Sequence, residues 1–352
     1  MPLTSLILDN FRTYSHREFS FQDGVNLIYG PNASGKTNLL EAMFFLATGK
    51  SFRASTSRHL VSWRESFTTV RGQLKNSQLT NFEAKLVLPT TSTGFRRVFL
   101  IDDSVKKRSQ YLGQIKPVVF QPDDIRLISG SPSRRRDFFD LLFTSFDWRY
   151  TQALSQYHRT LNHRRLVLLR LSQHLARPDE LYFWDQSLIK NGQIVTDSRS
   201  KFVVFANQFF ATHPEPQFQN LKIIYQPQPI NSESLNSRLN YDIAHAQTSH
   251  GAHREDFWLT STEFITDNPN LAHWASRGQQ RLGVLALKLA QLEFLKLLPG
   301  HSPLLLLDDI FSELDSDHQE LLIKLCLNYQ TIITSTFVLP HLENQANLLQ
   351  LT

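Results

Sequence analysis

Gly30-Pro31-Asn32-Ala33-Ser34-Gly35-Lys36-Thr37 decides how this chain is read. It fits G-x-x-x-x-G-K-[ST], a loop whose glycines let the backbone wrap a phosphate so that successive N–H groups point inward. Lys36 would reach the β- and γ-phosphates of a nucleotide, and the Thr37 hydroxyl would bind Mg²⁺. The fixed positions alone arise by chance in roughly one such chain per hundred. The flanks argue against coincidence. Gly24 to Tyr29 is an apolar run ending at Gly30, as a buried strand feeding a tight turn would be. From Lys36 to Ala47, apolar residues at 39, 40, 43, 44, 46 and 47 cover most of a helix circumference, and Gly49 is a natural stop. Strand, loop and helix N-terminus together suit an anion.

Outward from this unit the chain changes style. Leu3 to Asp9 is a short, mixed strand candidate. From Ser66 to Pro122, Val70, Gly72 and Leu74 alternate with polar neighbours, as do Phe82, Ala84, Leu86 and Leu88. With polar breaks at Asn76-Ser77 and Thr90–Thr93, this predicts antiparallel hairpins with one wet face. Ser131 to Lys190 holds no glycine. Leu154, Tyr157 and Leu161, then Leu168, Leu171 and Leu175, mark a helical stripe. Arg177-Pro178-Asp179 breaks it before Leu181, Trp184 and Leu188 open another, so two antiparallel helices in their own lobe are expected. Residues 213–240, with four prolines, read as a loop-rich return linker. Leu282, Leu285, Leu289 and Leu292 repeat at helical spacing until Pro299-Gly300. Leu304–Leu307 and Thr331–Thr334 then read as interior parallel strands. The expected organisation is a split α/β head: residues 1–124 with the phosphate loop and a β subdomain, a mainly helical insertion over 125–244, and a second head part over 245–352.

Two further segments carry chemistry. Leu304–Leu307 delivers Asp308-Asp309 at the C-terminal end of a buried strand, where ligands collect in open α/β sheets. Asp308 can hold Mg²⁺ and Asp309 can orient or deprotonate a water. Without the phosphate loop, the same string would be an ordinary core strand meeting solvent. Ser276-Arg277-Gly278-Gln279-Gln280 opens the Leu282 helix. Alone it is a capping box, with Ser276 as N-cap and Gln279 three residues on. As a site it is another helix N-terminus suited to phosphate. One nucleotide cannot readily have both helix ends on its γ-phosphate within one subunit, so the second would be offered in trans by a partner.

Composition narrows the setting. Of 352 residues, 41% are hydrophobic and 20% charged, which supports a sizeable core and excludes wholesale disorder. Lys plus Arg is 37 against 32 acidic residues, an excess that permits a polyanionic partner without demanding one. The single cysteine, Cys326, can make no internal disulfide, which argues for a reducing compartment. No apolar run approaches the ~20 residues of a bilayer span. Leu6-Ile7-Leu8 is too short for a signal peptide and runs straight into Asp9 and Arg12. A cytoplasmic location without a membrane partner is expected.

With the motifs in place, the chain resembles the ABC-type ATPase heads of the structural-maintenance and recombination class, and within it the RecF family of bacterial DNA replication and repair proteins. The matching stretches run in consistent order through Asn10-Phe11-Arg12, Gly30 to Glu41, Gly49 to Arg53, Phe120 to Asp124, Gly130 to Asp140, His253-Arg254 and Leu306 to Asp315. Asp308-Asp309-Ile310-Phe311-Ser312-Glu313-Leu314-Asp315 is the most family-specific of them. The resemblance implies an ABC-type head with an antiparallel β subdomain and a helical lobe, binding ATP and Mg²⁺ through residues 30–37 and Asn38. It implies that Gln121 links γ-phosphate, Mg²⁺ and the attacking water, that Ser276 and Gly278 form the trans signature, and that Asp315 couples the two sites of a dimer. Departures are Arg277, where the family more often has Gln or Glu, and Gly251-Ala252-His253-Arg254-Glu255-Asp256, where it has Gly-Pro-His-Arg-Asp-Asp. Thr334-Ser335-Thr336 stands where transporter ATPases place a switch histidine.

Lys106-Lys107-Arg108, Arg134-Arg135-Arg136 and His163-Arg164-Arg165 are basic clusters. Most charge runs are solvated faces. Under the resemblance they become candidates for sequence-independent phosphate contact, since no base-reading module is evident. The function implied is an ATP-gated homodimer that clamps duplex DNA at gaps, with slow, DNA-stimulated ATP hydrolysis for release. Its implied partners are RecO and RecR, and through them the RecA recombinase. The rivals are a transporter ATPase subunit and a stand-alone small-molecule kinase. Asp309 in place of the usual Glu, the helical insertion and the missing histidine weigh against the transporter. The kinase would need an acceptor pocket that the sequence does not locate.

Overall fold

The computed structural model describes residues 2–54, 56–75, 78–89, 94–264, 266, 269–300 and 302–352. The expected hairpin breaks at Asn76-Ser77 and Thr90–Thr93 lie outside them. β1 (Leu3–Phe11) and β2 (Tyr14–Ser20) form an antiparallel pair. β3 (Val25–Tyr29) follows, the phosphate loop leaves its end, and α1 (Lys36–Thr48) leaves the loop. β4 (Phe67–Lys75), β5 (Leu79–Val87), β6 (Arg96–Ile101) and β7 (Ser104–Lys106) extend the first pair into a six-stranded antiparallel sheet, ordered β2-β1-β4-β5-β6-β7. Val70, Leu74, Phe82, Ala84 and Leu86 are buried while Arg71 and Gln73 are exposed, the period-2 pattern of a sheet with one wet face. β8 (Pro117–Phe120) departs from the hairpin expectation. All four of its residues are buried, and it joins the other, parallel sheet.

Further along come α2 (Pro132–Thr144), α3 (Trp148–Ser172), α4 (Tyr182–Thr212), β9 (Leu221–Gln226) and β10 (Asp256–Ser261). α5 (Arg277–Lys296), β11 (Leu304–Asp308), α6 (Ser316–Cys326), β12 (Gln330–Ser335) and β13 (Ala346–Gln350) complete the chain. β3, β8, β11, β12 and β13 make an all-parallel sheet of order β13-β3-β12-β11-β8. Leu304–Leu307 and Ile332–Ile333 are buried, as continuous apolar runs covered on both faces must be. α1 touches strands of both sheets. Gly72 permits the close approach, since a Cβ there would stand 2.5 Å from Leu46 Cδ2. Gly49 ends α1 at φ 67°, a left-handed cap that glycine adopts without Cβ strain, and its N–H donates to Phe45 O.

Packing divides the chain into two units: residues 1–124 with 291–352, and residues 125–290. The expected boundary at 244/245 therefore moves. The reason lies in the stretch expected to be a linker: β9 forms within 213–240 and pairs antiparallel with β10, so both strands belong to the lobe. In that lobe α3 and α4 run antiparallel, with Thr160 opposite Ser187 and Arg164 opposite Asp185. Phe138, Phe139, Phe202, Tyr225 and Phe257 form an aromatic cluster at its centre. Leu175, read as part of the buried stripe, lies beyond the end of α3 and is exposed. Among the described residues, no helix is long and apolar enough to cross a membrane.

Candidate nucleotide-binding site

The phosphate loop sits at the C-terminal edge of the parallel sheet, between β3 and α1. Its backbone needs the residues it has. Gly30, at φ 159°, faces Leu351 O so closely that a Cβ would stand 2.1 Å from it. Gly35, at φ 99°, faces Tyr14, whose hydroxyl donates to Gly35 O at 3.2 Å. The N-terminus of α1 has no side-chain cap, so the first-turn N–H groups lack the partner a Ser or Asp would give. Ser34 Oγ is buried and has no hydrogen-bond partner. An uncapped helix end beside an orphaned hydroxyl is what an anion would complete.

Lys36 is buried, with Nζ donating to Gly30 O and Pro31 O, both at 2.7 Å. Burial lowers its pKa, and the carboxylates of Asp309 and Asp308 oppose that shift. Thr37 Oγ1 donates to Asp308 Oδ1 at 2.8 Å. Two segments far apart in sequence are thus joined at the position where each was expected to hold Mg²⁺. Thr334 Oγ1 also donates to Asp308 Oδ1, at 3.0 Å, and receives the N–H of Asp309 at 3.1 Å. In the sequence Thr334 marks only the place of a missing histidine. The register Thr334–Asp308 across β12 and β11 was the signal for it. Asp309 itself sits in the left-handed region at φ 50°, and its N–H donates to both the O and the Oγ1 of Thr334. Burial raises its pKa and the neighbouring Asp308 raises it further, while Lys36 pulls it back. A carboxylate shifted upward in this way is a better proton acceptor than an ordinary one.

Among the described residues, no group of three or more His, Cys, Asp or Glu is placed to hold a metal. The pair present, the Thr37 hydroxyl and the Asp308 carboxylate, fits Mg²⁺, which keeps several waters and takes one or two carboxylates plus substrate phosphates. Gln121 follows β8 directly, one residue past the Phe120–Leu307 register pair and so beside Asp308 in sequence register. Its N–H is tied to Asp124 Oδ2 at 2.8 Å. Asp315 is the N-cap of α6 and accepts from the His318 N–H at 3.0 Å. Asn38 donates to Thr13 Oγ1 at 3.0 Å. Ser276 and Gly278 belong to the other unit, 125–290. There the capping box is formed, with the Ser276 N–H on Gln279 Oε1 at 2.9 Å and the Gln279 N–H on Ser276 Oγ at 3.3 Å. Ser276 remains exposed.

The basic clusters fare differently. Arg135 is buried in a bidentate pair with Asp256, at 2.7 and 2.8 Å, and also holds Gly130 O. Arg136 donates to Glu255 O. Arg164 is fully buried and donates to Asp185, Asp242 and Thr248 at 2.7 to 2.9 Å. Arg108 donates to Thr48 O, and burial lowers its pKa. The guanidinium groups of Arg135 and Arg164 are spent on buried ion pairs and cannot reach a DNA backbone, whereas Arg108 and Arg136 are half-buried and remain candidates. Lys107 and Arg165 are exposed, and Lys106 and Arg134 are half-buried. The sequence reading also missed the Arg12–Glu41 pair at 2.6 Å, in which Glu41 is fully buried and also accepts from Ser51 Oγ.

The model of the RecF/RecN/SMC N terminal domain matches residues 2–352. The DNA replication and repair protein RecF of Lachnoclostridium phytofermentans is 32% identical over 351 residues, covering 98% of this chain and 95% of its own. Solved structures of the recombination mediator protein RecF-ATPrS and RecF-ATP in RecFOR pathway superpose with TM-scores of 0.82 and 0.80. They are 30% and 31% identical, each spans 96% of this chain, and the match covers 93% and 92% of those chains. A family model spanning the chain, a relative above 30% identity at nearly full length and a shared ABC-type head place this protein in the RecF family.

Proposed function

We propose that the chain is an ATP-dependent DNA-binding protein of recombinational repair, in which ATP closes a homodimer around duplex DNA at gaps and slow, DNA-stimulated hydrolysis releases it. One observation carries the reading: Thr37 Oγ1 meets Asp308 Oδ1 at 2.8 Å, beside Lys36 and the partnerless Ser34. In this reading Lys36 moves from the loop carbonyls onto the β- and γ-phosphates. Thr37, Asp308 and Gln121 would hold Mg²⁺, which when bound would neutralise charge on the phosphate oxygens. Gln121 orients the attacking water and Asp309 takes its proton. Ser276 and Gly278 of a second copy complete the γ-phosphate site, and Asp315 couples the two sites. The RecF relatives support the setting, and with it RecO and RecR as partners and RecA as the recombinase that they help to load.

Phosphate contacts bring a measurable signature. Affinity for duplex should fall log-linearly with salt and depend little on sequence. By linkage, DNA must strengthen ATP-driven dimerisation by the same free energy that ATP adds to DNA binding, typically about 1–3 kcal/mol. Titrating a labelled duplex with ATP and with ADP tests the gate. Tighter binding in ATP is expected, and equal affinity in both states would overturn it.

A further inference from the structure

Glu41 is fully buried in α1, flanked by Leu39, Leu40, Ala42 and Met43, which are buried as well. A carboxylate there costs desolvation, and an apolar side chain would serve the packing at least as well. What the carboxylate does is hold two other segments. Its Oε2 accepts from Arg12 Nε at 2.6 Å and its Oε1 from Arg12 Nη2 at 2.7 Å. Oε1 also accepts from Ser51 Oγ, which in turn receives the N–H groups of Arg53 at 2.8 Å and Ala54 at 2.6 Å. The Arg12 backbone is fixed too. It sits at φ 55°, a left-handed conformation that side chains disfavour. Its N–H donates to Leu60 O at 2.9 Å, and its O accepts from the Ser62 hydroxyl at 2.8 Å.

Among the described residues, Nη1 of the same guanidinium has no hydrogen-bond partner. Arg12, Thr13, Asn38, Arg53 and His59 line one open cavity of about 460 Å³, and no acidic side chain lines it. The phosphate loop is its neighbour. Asn38, in the first turn of α1, donates to Thr13 Oγ1, and the Tyr14 hydroxyl donates to Gly35 O. A strained residue held from every side, with one donor left free beside a phosphate loop, is strain kept for binding rather than for packing. We propose that Glu41 is a positioning residue for ATP: its buried carboxylate fixes the Arg12 guanidinium and the segment 51–54 as one unit, so that Arg12 Nη1 is held ready for the bound nucleotide. The inference rests on the ATP-binding reading above for its ligand and adds to it the group that orients Arg12.

Competition of ATP against a fluorescent ATP analogue on the full-length chain tests this, with steady-state turnover beside it. Glu41→Gln keeps the size but offers a single acceptor oxygen and sets an NH₂ group against the Arg12 donors, so ATP affinity should fall roughly 10- to 100-fold. The loss should fall on KM more than on kcat, because Asp309 is untouched. Most of the Glu41→Gln effect should vanish when Arg12 is already Ala, which is how a double-mutant cycle reads a residue that acts through another. Arg12→Met combined with Glu41→Met replaces the pair by apolar chains, a change that buried pairs tolerate, so it is expected to fold even where Glu41→Gln does not. It too should bind ATP weakly. Wild-type ATP affinity in Glu41→Gln or in the folded Met pair would overturn the proposal, as would losses at Arg12 and Glu41 that simply add. Wild-type protein that binds no ATP would overturn the ATP reading together with this inference, whereas wild-type ATP binding with indifferent Glu41 variants strikes this inference alone.

Discussion

The phosphate loop and the core of the helical lobe both bury positive charge, and they treat it in opposite ways. In the loop, among the described residues, Lys36 Nζ has only backbone carbonyls from Gly30 and Pro31 as hydrogen-bond partners, Ser34 Oγ has none, and the following helix has no side-chain cap. In the lobe, Arg135 is clamped on Asp256, Arg164 on Asp185 and Asp242, and Arg199 on Asp140 and Glu255. Tyr225 and Thr196 also donate to Glu255 there. Apart from Arg164 Nη2, the guanidinium nitrogens of these three described arginines all have hydrogen-bond partners, so this buried charge is closed. Open valence marks a place for a ligand, whereas closed valence marks architecture. Desolvation makes the distinction strict, because an unpaired buried polar group is costly unless something completes it.

The largest effects should come from the open region. Lys36→Met removes the loop's cation while leaving the fold, so ATP turnover should collapse with the thermal midpoint unchanged. A folded variant hydrolysing at the wild-type rate would break the comparison. Asp309→Asn keeps the size and loses the proton acceptor, which typically costs 10²–10⁴-fold in rate. ATP should still bind, and single-turnover hydrolysis assays separate the two.

The closed region should respond in stability. Arg164→Met strips the partner from Asp242, which is 1% exposed, and removal of one member of a buried pair costs about 3–5 kcal/mol. Denaturant unfolding should show that loss, and a change below about 1 kcal/mol would mean the pair adds little.

How much of this was legible differs by region for a physical reason. The phosphate loop declares itself because the backbone needs glycine where φ is positive and the chemistry needs Lys and Thr at fixed offsets. β3, α1, β11 and β12 follow from apolar runs bounded by those motifs. Arg164 was read as a surface cluster because it stands beside Arg165 and His163. Its spacing told otherwise: Tyr157, Arg164 and Leu171 are seven apart, and all three are buried on one face of α3. Periodicity locates the face, but composition cannot say that a charge on it has a partner at Asp242, far along the chain. The Arg135–Asp256 pair was hidden for the same reason, and so was β9, whose partner strand lies beyond a proline-rich stretch. Thr334 was missed because its role depends on strand register, which appears only once β11 and β12 are aligned.

A smaller, pH-dependent effect sharpens the contrast. His253 bonds Tyr157 and Thr248 O inside the lobe, and burial, reinforced by the positive Arg254 and Arg136, holds its pKa down at about 4. The unfolded chain takes up that proton near 6.5, so stability is complete above that pH and is lost as pH falls toward 4. The slope from this group is at most about 1.4 kcal/mol per pH unit. Thermal midpoints from pH 7 to 4.5 should fall more steeply for wild type than for His253→Gln, and parallel curves would remove His253 from the account.

The most direct test of the central claim is the mass of Asp309→Asn by light scattering in ATP, in ADP and without nucleotide. The open site predicts twice the monomer mass in ATP and a monomer otherwise, with Ser276→Arg added to Asp309→Asn restoring the monomer in ATP. A monomer at saturating ATP, or a dimer indifferent to nucleotide, would contradict it.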